Sequence, residues 1–181
     1  MCGIWSLIKK DSNIDISVLL ADFWNIKHRG PDNSHFETFD NIYLGFHRLA
    51  IMDTSFKSNQ PYVIQEKDRT IVFICNGEIY NYKELAHEYN IDLETNSDCE
   101  IIIHLYQRVG IQQMISLLDG VFSFVLLDKT TNMVYIGHDP LGIRSLYMTT
   151  HNNGLLISSE MKCLTDYNGY ITMIKPGVYH S

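Results

Sequence analysis

The chain has 181 residues, 45% of them apolar and 19% charged, a length at which one domain buries roughly 70% of the surface its unfolded form exposes. The absence of low-complexity stretches and like-charge runs excludes a disordered segment. Fourteen Lys and Arg against 21 Asp and Glu leave a net charge of -7, which argues against a surface that tracks the phosphates of nucleic acid or anionic lipid.

The longest apolar stretch, Val121 to Leu127, is interrupted by Ser123 and is far shorter than the roughly 20 residues a membrane helix needs. Cys2 to Ile8 has no basic region before it and no small-residue cleavage site after it, so it is not a signal peptide and a cytosolic chain is expected. Cys2, Cys75, Cys99 and Cys163 form no CxxC pair, and the eight His residues show neither HxxxH nor HExxH spacing. Reduced thiols and no metal are the expectation.

In chain order, Cys2 to Ile8 reads as a short buried strand, and Ile16, Leu19, Leu20, Phe23 and Trp24 then take helical spacing with Asp15 as a cap. HRGPDNSH (His28 to His35) holds Gly30 beside Pro31 and reads as irregular; Tyr43 to Ile51 is strand-like and leads into a loop ending near Pro61. Ile71 to Cys75 is a continuous apolar run that stops at Asn76 and Gly77, as a buried strand does at a tight turn. Ser97 and Glu100 offer a capping box ahead of Ile101, Leu105 and Val109, with Gly110 as the stop and a second short helix at Gln112 to Leu118. Val121 to Leu127, Met133 to Gly137, Ser145 to Met148 and Leu155 to Ser158 read as an antiparallel meander. Helices mixed with many short strands, in no strict βαβ order, predict an α+β protein.

Removal of Met1 would leave Cys2 carrying both a thiol and a free α-amino group. An amine of pKa near 7.7 to 8.0 is well matched to take the proton of a thiol of pKa about 8.5. A cysteine at this position alone is more commonly a small buried hydrophobe, so its context decides. That context is MCGIW (Met1 to Trp5), HRGPD (His28 to Asp32), GFHRLAIMD (Gly45 to Asp53), NGEIYN (Asn76 to Asn81), SDCE (Ser97 to Glu100), LDGVFSFVLLD (Leu118 to Asp128), DPLGIRSLY (Asp139 to Tyr147) and SSEMKCL (Ser158 to Leu164). In this order, over essentially the whole chain, these segments resemble the N-terminal class II glutaminase domain of glutamine-dependent asparagine synthetase.

The resemblance implies a four-layer αββα sandwich of the N-terminal-nucleophile hydrolase type across residues 1–181. It implies that Cys2 attacks the side-chain amide of L-glutamine, releases ammonia and leaves a thioester that water hydrolyses. The Asn76 side-chain amide and the Gly77 backbone N–H match the pair of oxyanion donors, and a residue without Cβ at 77 would let backbone approach substrate closely. Arg48 and Asp98 match the groups that hold the substrate carboxylate and ammonium, Leu49 and Ile51 offer backbone contacts, and Glu78 would accept from the leaving amide. Taken by local sequence, Arg48 reads instead as a surface salt bridge, Asp98 as a first-turn acid and Asn76-Gly77 as a hairpin turn. Cys75, Cys99 and Cys163 read as inert thiols in or near the core.

Two positions depart from the pattern, His138 standing where relatives usually have arginine and Ser145 where they usually have proline. They bear on the turn near Gly142 or a surface facing another domain. Asparagine synthetases continue into an ATP-pyrophosphatase domain with a phosphate loop, and no such loop precedes the last residues, KPGVYHS (Lys175 to Ser181). ATP and Mg are therefore expected only in that C-terminal synthetase domain, the expected recipient of ammonia, and no cofactor is expected here. The glutaminase domain of another class II amidotransferase, or a non-catalytic glutamine-binding module, are the alternatives. No oligomeric state is assigned.

Overall fold

Two antiparallel sheets lie face to face in a computed structural model that describes residues 1–9, 16–151, 154–167 and 169–181. The chain runs through β1 (Gly3–Ile8), α1 (Ile16–Trp24), β2 (Asn33–Phe39), β3 (Ile42–Arg48), β4 (Tyr62–Glu66) and β5 (Arg69–Ile79). It continues through α2 (Tyr82–Glu88), α3 (Glu100–Leu117), β6 (Gly120–Asp128) and β7 (Met133–His138). β8 (Tyr147–His151), β9 (Gly154–Ser158), β10 (Thr172–Met173) and β11 (Tyr179–His180) complete it. One sheet has the order β10-β8-β9-β1-β3-β2 and the other β11-β7-β6-β5-β4.

Three apolar clusters separate four layers. Trp5, Leu7 and Leu156 pack outward against Leu19 and Phe23 of α1. Ile4, Phe46, Val72, Ile74 and Val125 fill the space between the sheets, and Phe73, Cys75 and Phe124 face Leu85 of α2 and Ile102, Leu105 and Tyr106 of α3. Side chains of a strand alternate faces, so β5, covered on both sides, needs apolar residues at every position. This is why Ile71 to Cys75 is an unbroken apolar run, and the arrangement is the αββα sandwich that the resemblance implied.

Several local expectations are revised. β2 lies at a sheet edge with mostly polar, part-exposed residues, and α2 buries only Leu85, so neither carries the apolar periodicity that sequence reading detects. β4, an edge strand of the second sheet, begins just past the loop expected to end near Pro61, in a stretch to which sequence reading assigned no element. β5 does not turn at Asn76-Gly77 but continues to Ile79, paired throughout with β6. Ser97 and Glu100 form no capping box: α3 begins at Glu100, whose carboxylate accepts from the backbone N–H groups of Glu94 at 2.7 Å and Thr95 at 2.9 Å. Gly110, at φ 75°, does interrupt the helix, and a second helical segment follows. The last strands split between the sheets, with β6-β7 in one and β8-β9 in the other. The proposed cap Asp15 lies outside the described residues.

His47 ties α1 to β3. Its ring is stacked on Phe23 at 4.0 Å between centroids, Nε2 lies 2.9 Å from the Phe23 carbonyl and Nδ1 2.7 Å from Ser34 Oγ. A carbonyl can only accept, so Nε2 carries the proton and Nδ1 accepts from the serine hydroxyl, a neutral imidazole with both nitrogens satisfied. Burial lowers its pKa below the ordinary 6.5. The unfolded chain therefore binds a proton below about pH 6.5 that the folded chain resists, and stability present above that pH is lost as pH falls. Urea titrations between pH 7 and 5 should show unfolding free energy falling by up to about 1.4 kcal/mol per pH unit from this group, and His47→Gln should flatten that slope.

Candidate active site

β5 outruns its neighbour β4, whose pairing ends at Tyr62 opposite Phe73. Beyond that point two side chains occupy the open edge of β5. Gln60 accepts from Cys75 N at 2.6 Å and donates to Cys75 O at 3.1 Å, and Asp98 Oδ2 accepts from Ile79 N at 2.6 Å. In an antiparallel strand the N–H groups of alternate residues leave by the same edge. The Gly77 N–H therefore points into the gap between Gln60 and Asp98, and both of these line one cavity of about 170 Å³. On the same edge the Gly77 carbonyl accepts from Cys99 Sγ at 3.5 Å. The glycine itself is demanded from behind: a Cβ at 77 would lie 2.6 Å from Phe122 Cβ and 2.7 Å from Val121 O on β6. Close packing of two strands, rather than approach of substrate, explains that residue.

The other wall comes from the first sheet. Gly3 is paired with His47, which brings Cys2, just before β1, beside Arg48 and Leu49. Leu49 N donates to Cys2 Sγ at 3.3 Å and the thiol lies 3.6 Å from Leu49 O. The Leu49 backbone thus faces the nucleophile candidate directly. Asp32 Oδ2 accepts from Ala50 N at 2.8 Å and fixes this turn, while Ile51 stands exposed at the rim. Arg29 Nε donates to Cys2 O at 2.9 Å, and Arg29 is paired with Glu160 at 3.2 Å. Sequence reading noted HRGPD without giving Arg29 or Asp32 a task; charged residues crowded into an irregular segment were the signal available.

Cys2, Arg48, Leu49, Ile51, Asn76, Gly77, Glu78 and Asp98, the residues singled out from sequence, all line this one cavity. Asn76 is buried and its Nδ2 has no partner among the described residues, a donor held without an acceptor. Asp98 is buried rather than a solvated first-turn acid. Burial raises its pKa, opposed by the N–H groups of Ile79, Asp98 and Cys99, and the nearby charge of Glu78 raises it further. A cationic ligand group would relieve both effects.

Arg48 is buried and forms no salt bridge among the described residues. Nη1 donates to Ser55 O and Asn59 Oδ1, each at 2.7 Å, and Nη2 donates to Asp53 O. With both Nη1 hydrogens used, the bidentate face left for a carboxylate is the side-on pair of Nε and the second Nη2 hydrogen. The loop that Arg48 grips is closed by Asp53, which accepts from Ser55 N at 2.7 Å and Asn96 N at 2.8 Å; these bonds hold its carboxyl well below the usual range.

Burial raises the Cys2 thiol above its ordinary value, against lowering by the Leu49 N–H. Cys75, Cys99 and Cys163 are buried as expected; a hydrogen bond with Cys75 and burial hold Cys99 up, and burial pushes Cys163 up to about 11.

The Cys2 thiol thus stands at the end of one sheet, facing the Asn76 amide and the edge-directed Gly77 N–H at the end of the other. A glutamine amidotransferase domain model matches residues 1–178, and the chain belongs to that family. It is 41% identical to asparagine synthetase [glutamine-hydrolyzing] of Bos taurus over 177 residues, 95% of this chain and 31% of that protein. The Homo sapiens protein of the same name is 43% identical over 169 residues, covering 91% of this chain and 29% of its own length. The chain thus spans less than a third of these relatives. Among solved structures, glutamine phosphoribosylpyrophosphate amidotransferase from B. subtilis matches with a TM-score of 0.83 at 17% identity, over 98% of this chain and 46% of that one, a likeness of fold.

Because only Cys2 among the cysteines is not fully buried, iodoacetamide applied to the native protein should modify Cys2 alone, read by peptide mass mapping. In the chain that retains Met1 the rate should still be climbing above pH 9.0. Comparable labelling of Cys75 or Cys163 would contradict the packing described.

Proposed function

We propose that this domain hydrolyses L-glutamine to glutamate and ammonia through a thioester on Cys2, after Met1 has been removed. The observation that carries the reading is the meeting of the Cys2 thiol, the unpartnered Asn76 amide and the edge-directed Gly77 N–H at one cavity. The α-amine of Cys2 takes the thiol proton, and the thiolate attacks the side-chain carbonyl carbon of glutamine. Asn76 Nδ2 and Gly77 N–H stabilise the oxyanion, the α-ammonium returns its proton to the departing nitrogen, and ammonia leaves. Water then adds to the thioester by the same route and releases glutamate.

Asp98 takes the substrate ammonium and Arg48 its carboxylate, which together select a free amino acid over a peptide. Glu78 accepts from the carboxamide NH2, a donor that the ionised side chain of glutamate lacks. In its full context the ammonia passes to a C-terminal ATP- and Mg-dependent synthetase domain that converts aspartate to asparagine. Identity of 41–43% to proteins bearing that name supports this acceptor over a phosphoribosyl one, since the amidotransferase of that second kind shares 17% identity and therefore only a fold.

Ammonia release from glutamine by the correctly processed domain tests the reading, and absence of release would refute it. Cys2→Ala should abolish activity, and an extra residue ahead of Cys2 should do so as well if its amine is the base. Asn76→Ala should lower kcat by about 10² to 10³ with little change in KM, as loss of one oxyanion donor does. Asp98→Asn should instead raise KM, and an unchanged KM would remove Asp98 from ammonium recognition.

A further inference from the structure

Arg144 lines the same cavity yet has no part in the steps above. Its Nη2 donates to Glu78 Oε1 at 3.0 Å, and its Nη1 lies 2.7 Å from Met1 Sδ. A thioether is a weak acceptor, so the ion pair with Glu78 is the stronger of these two contacts. The exposures of the two side chains differ, 14% for Arg144 against 50% for Glu78. The arginine is the anchored member and the glutamate the one that is held.

The anchoring is built into the loop that carries Arg144. Asp139, buried to 1% exposure, accepts from the N–H groups of Leu141 at 2.9 Å, Phe122 at 3.1 Å, Ile143 at 3.2 Å and Arg144 at 3.5 Å. Phe122 is the residue of β6 paired with Gly77, so one carboxylate ties the Arg144 loop to the ladder that presents Asn76, Gly77 and Glu78. Gly142 makes the turn at φ +66° against the His138 ring, and His138 Nε2 in turn donates to Ile174 O at 2.5 Å. Ser145 Oγ donates to Ser159 O at 3.4 Å. Both departures from the family pattern therefore brace this loop.

Glu78 needs such a partner for two reasons. A half-exposed glutamate samples many rotamers, and recognition of an amide requires its oxygens at one place. It also shares the cavity with Asp98, and two uncompensated carboxylates there would repel. We propose that Arg144 is a positioning residue for glutamine recognition, holding the Glu78 carboxylate at the cavity mouth where the substrate amide nitrogen enters. The inference rests on the glutaminase reading given above.

The test is a double-mutant cycle on the processed protein with Glu78→Gln, Arg144→Gln and both together. Arg144→Gln should lower kcat/KM for glutamine by about 5- to 30-fold, mainly through KM. The double variant should be within about twofold of Glu78→Gln, because the arginine acts only through that carboxylate. Arg144→Lys should recover part of the loss, and urea midpoints should separate misfolding from mispositioning. Wild-type kcat/KM in Arg144→Gln, or losses that multiply in the double variant, would overturn the inference while leaving the glutaminase reading intact. If the wild type releases no ammonia, that reading falls by itself, and calorimetric glutamine binding in a Cys2→Ala background measures the same cycle. Absence of coupling there overturns the inference too.

Discussion

Beyond Phe73 the strand β5 has a neighbour on one side only. A backbone N–H in a protein interior must find a partner or lose about 1 to 3 kcal/mol, and the open edge answers this at Cys75 with Gln60 and at Ile79 with Asp98. Between them Gly77 keeps its N–H for something that arrives from the cavity. The donor is rigid because the opposite edge of the strand is fully laddered to β6 and because Phe122 presses against the glycine. Such a donor is preorganised in the sense that matters for catalysis, since it does not reorient when charge develops. The rest of the site is arranged around this gap: Asp98 closes one end of it, and the two-sheet core sets Cys2 opposite.

That opposition follows from layer packing. Ile4 and Phe46 of one sheet meet Val72, Ile74 and Val125 of the other, and the same alternation that turns Ile74 inward turns Asn76 inward two residues later. Cys2 is partly buried against this cluster. Core positions and the candidate site residue Asn76 are therefore consecutive members of one strand face, so the core fixes the separation of the Cys2 thiol and the Asn76 amide more firmly than a loop could.

The sequence made the chemistry more legible than the geometry. Cys2, Asn76, Gly77 and Asp98 could be chosen from motifs, and the structure gathers them at one cavity. Asn-Gly was also a strong turn signal, and it misled as a turn because a strand can run through it when the neighbour across the ladder excludes a Cβ. Arg48 looked available for a bidentate carboxylate contact, yet most of one end of its guanidinium is engaged by the 53–59 loop, a contact no local pattern announces. Edge strand β2 escaped notice because polar, half-exposed residues carry no period, and β4 because only three of its five residues are apolar, too short a run to show one. Arg144 lay in a quoted motif but could be given no task until Glu78 was seen beside it, for a pair separated by 66 residues is set by tertiary packing.

The excess of acids over bases first read only as an argument about partners acquires an internal use. Asp32, Asp53, Asp98, Glu100 and Asp139 each accept backbone N–H groups, and all but Glu100 do so in segments that touch or shape the cavity. A carboxylate offers up to four acceptor sites and can gather several amides of an irregular segment, which neutral side chains do less strongly. Hydrogen bonds hold Asp53 in its ionised form. Asp98 differs from it: the same kind of bonds are outweighed by burial, and its pKa is raised. Asp53 and Glu100 are held low, whereas Asp98, which lines the cavity together with Asn76 and Gly77, is pushed up. Asp53 and the candidate ligand-binding acid Asp98 thus accept backbone N–H groups by the same chemistry, distinguished by whether those bonds or burial dominates.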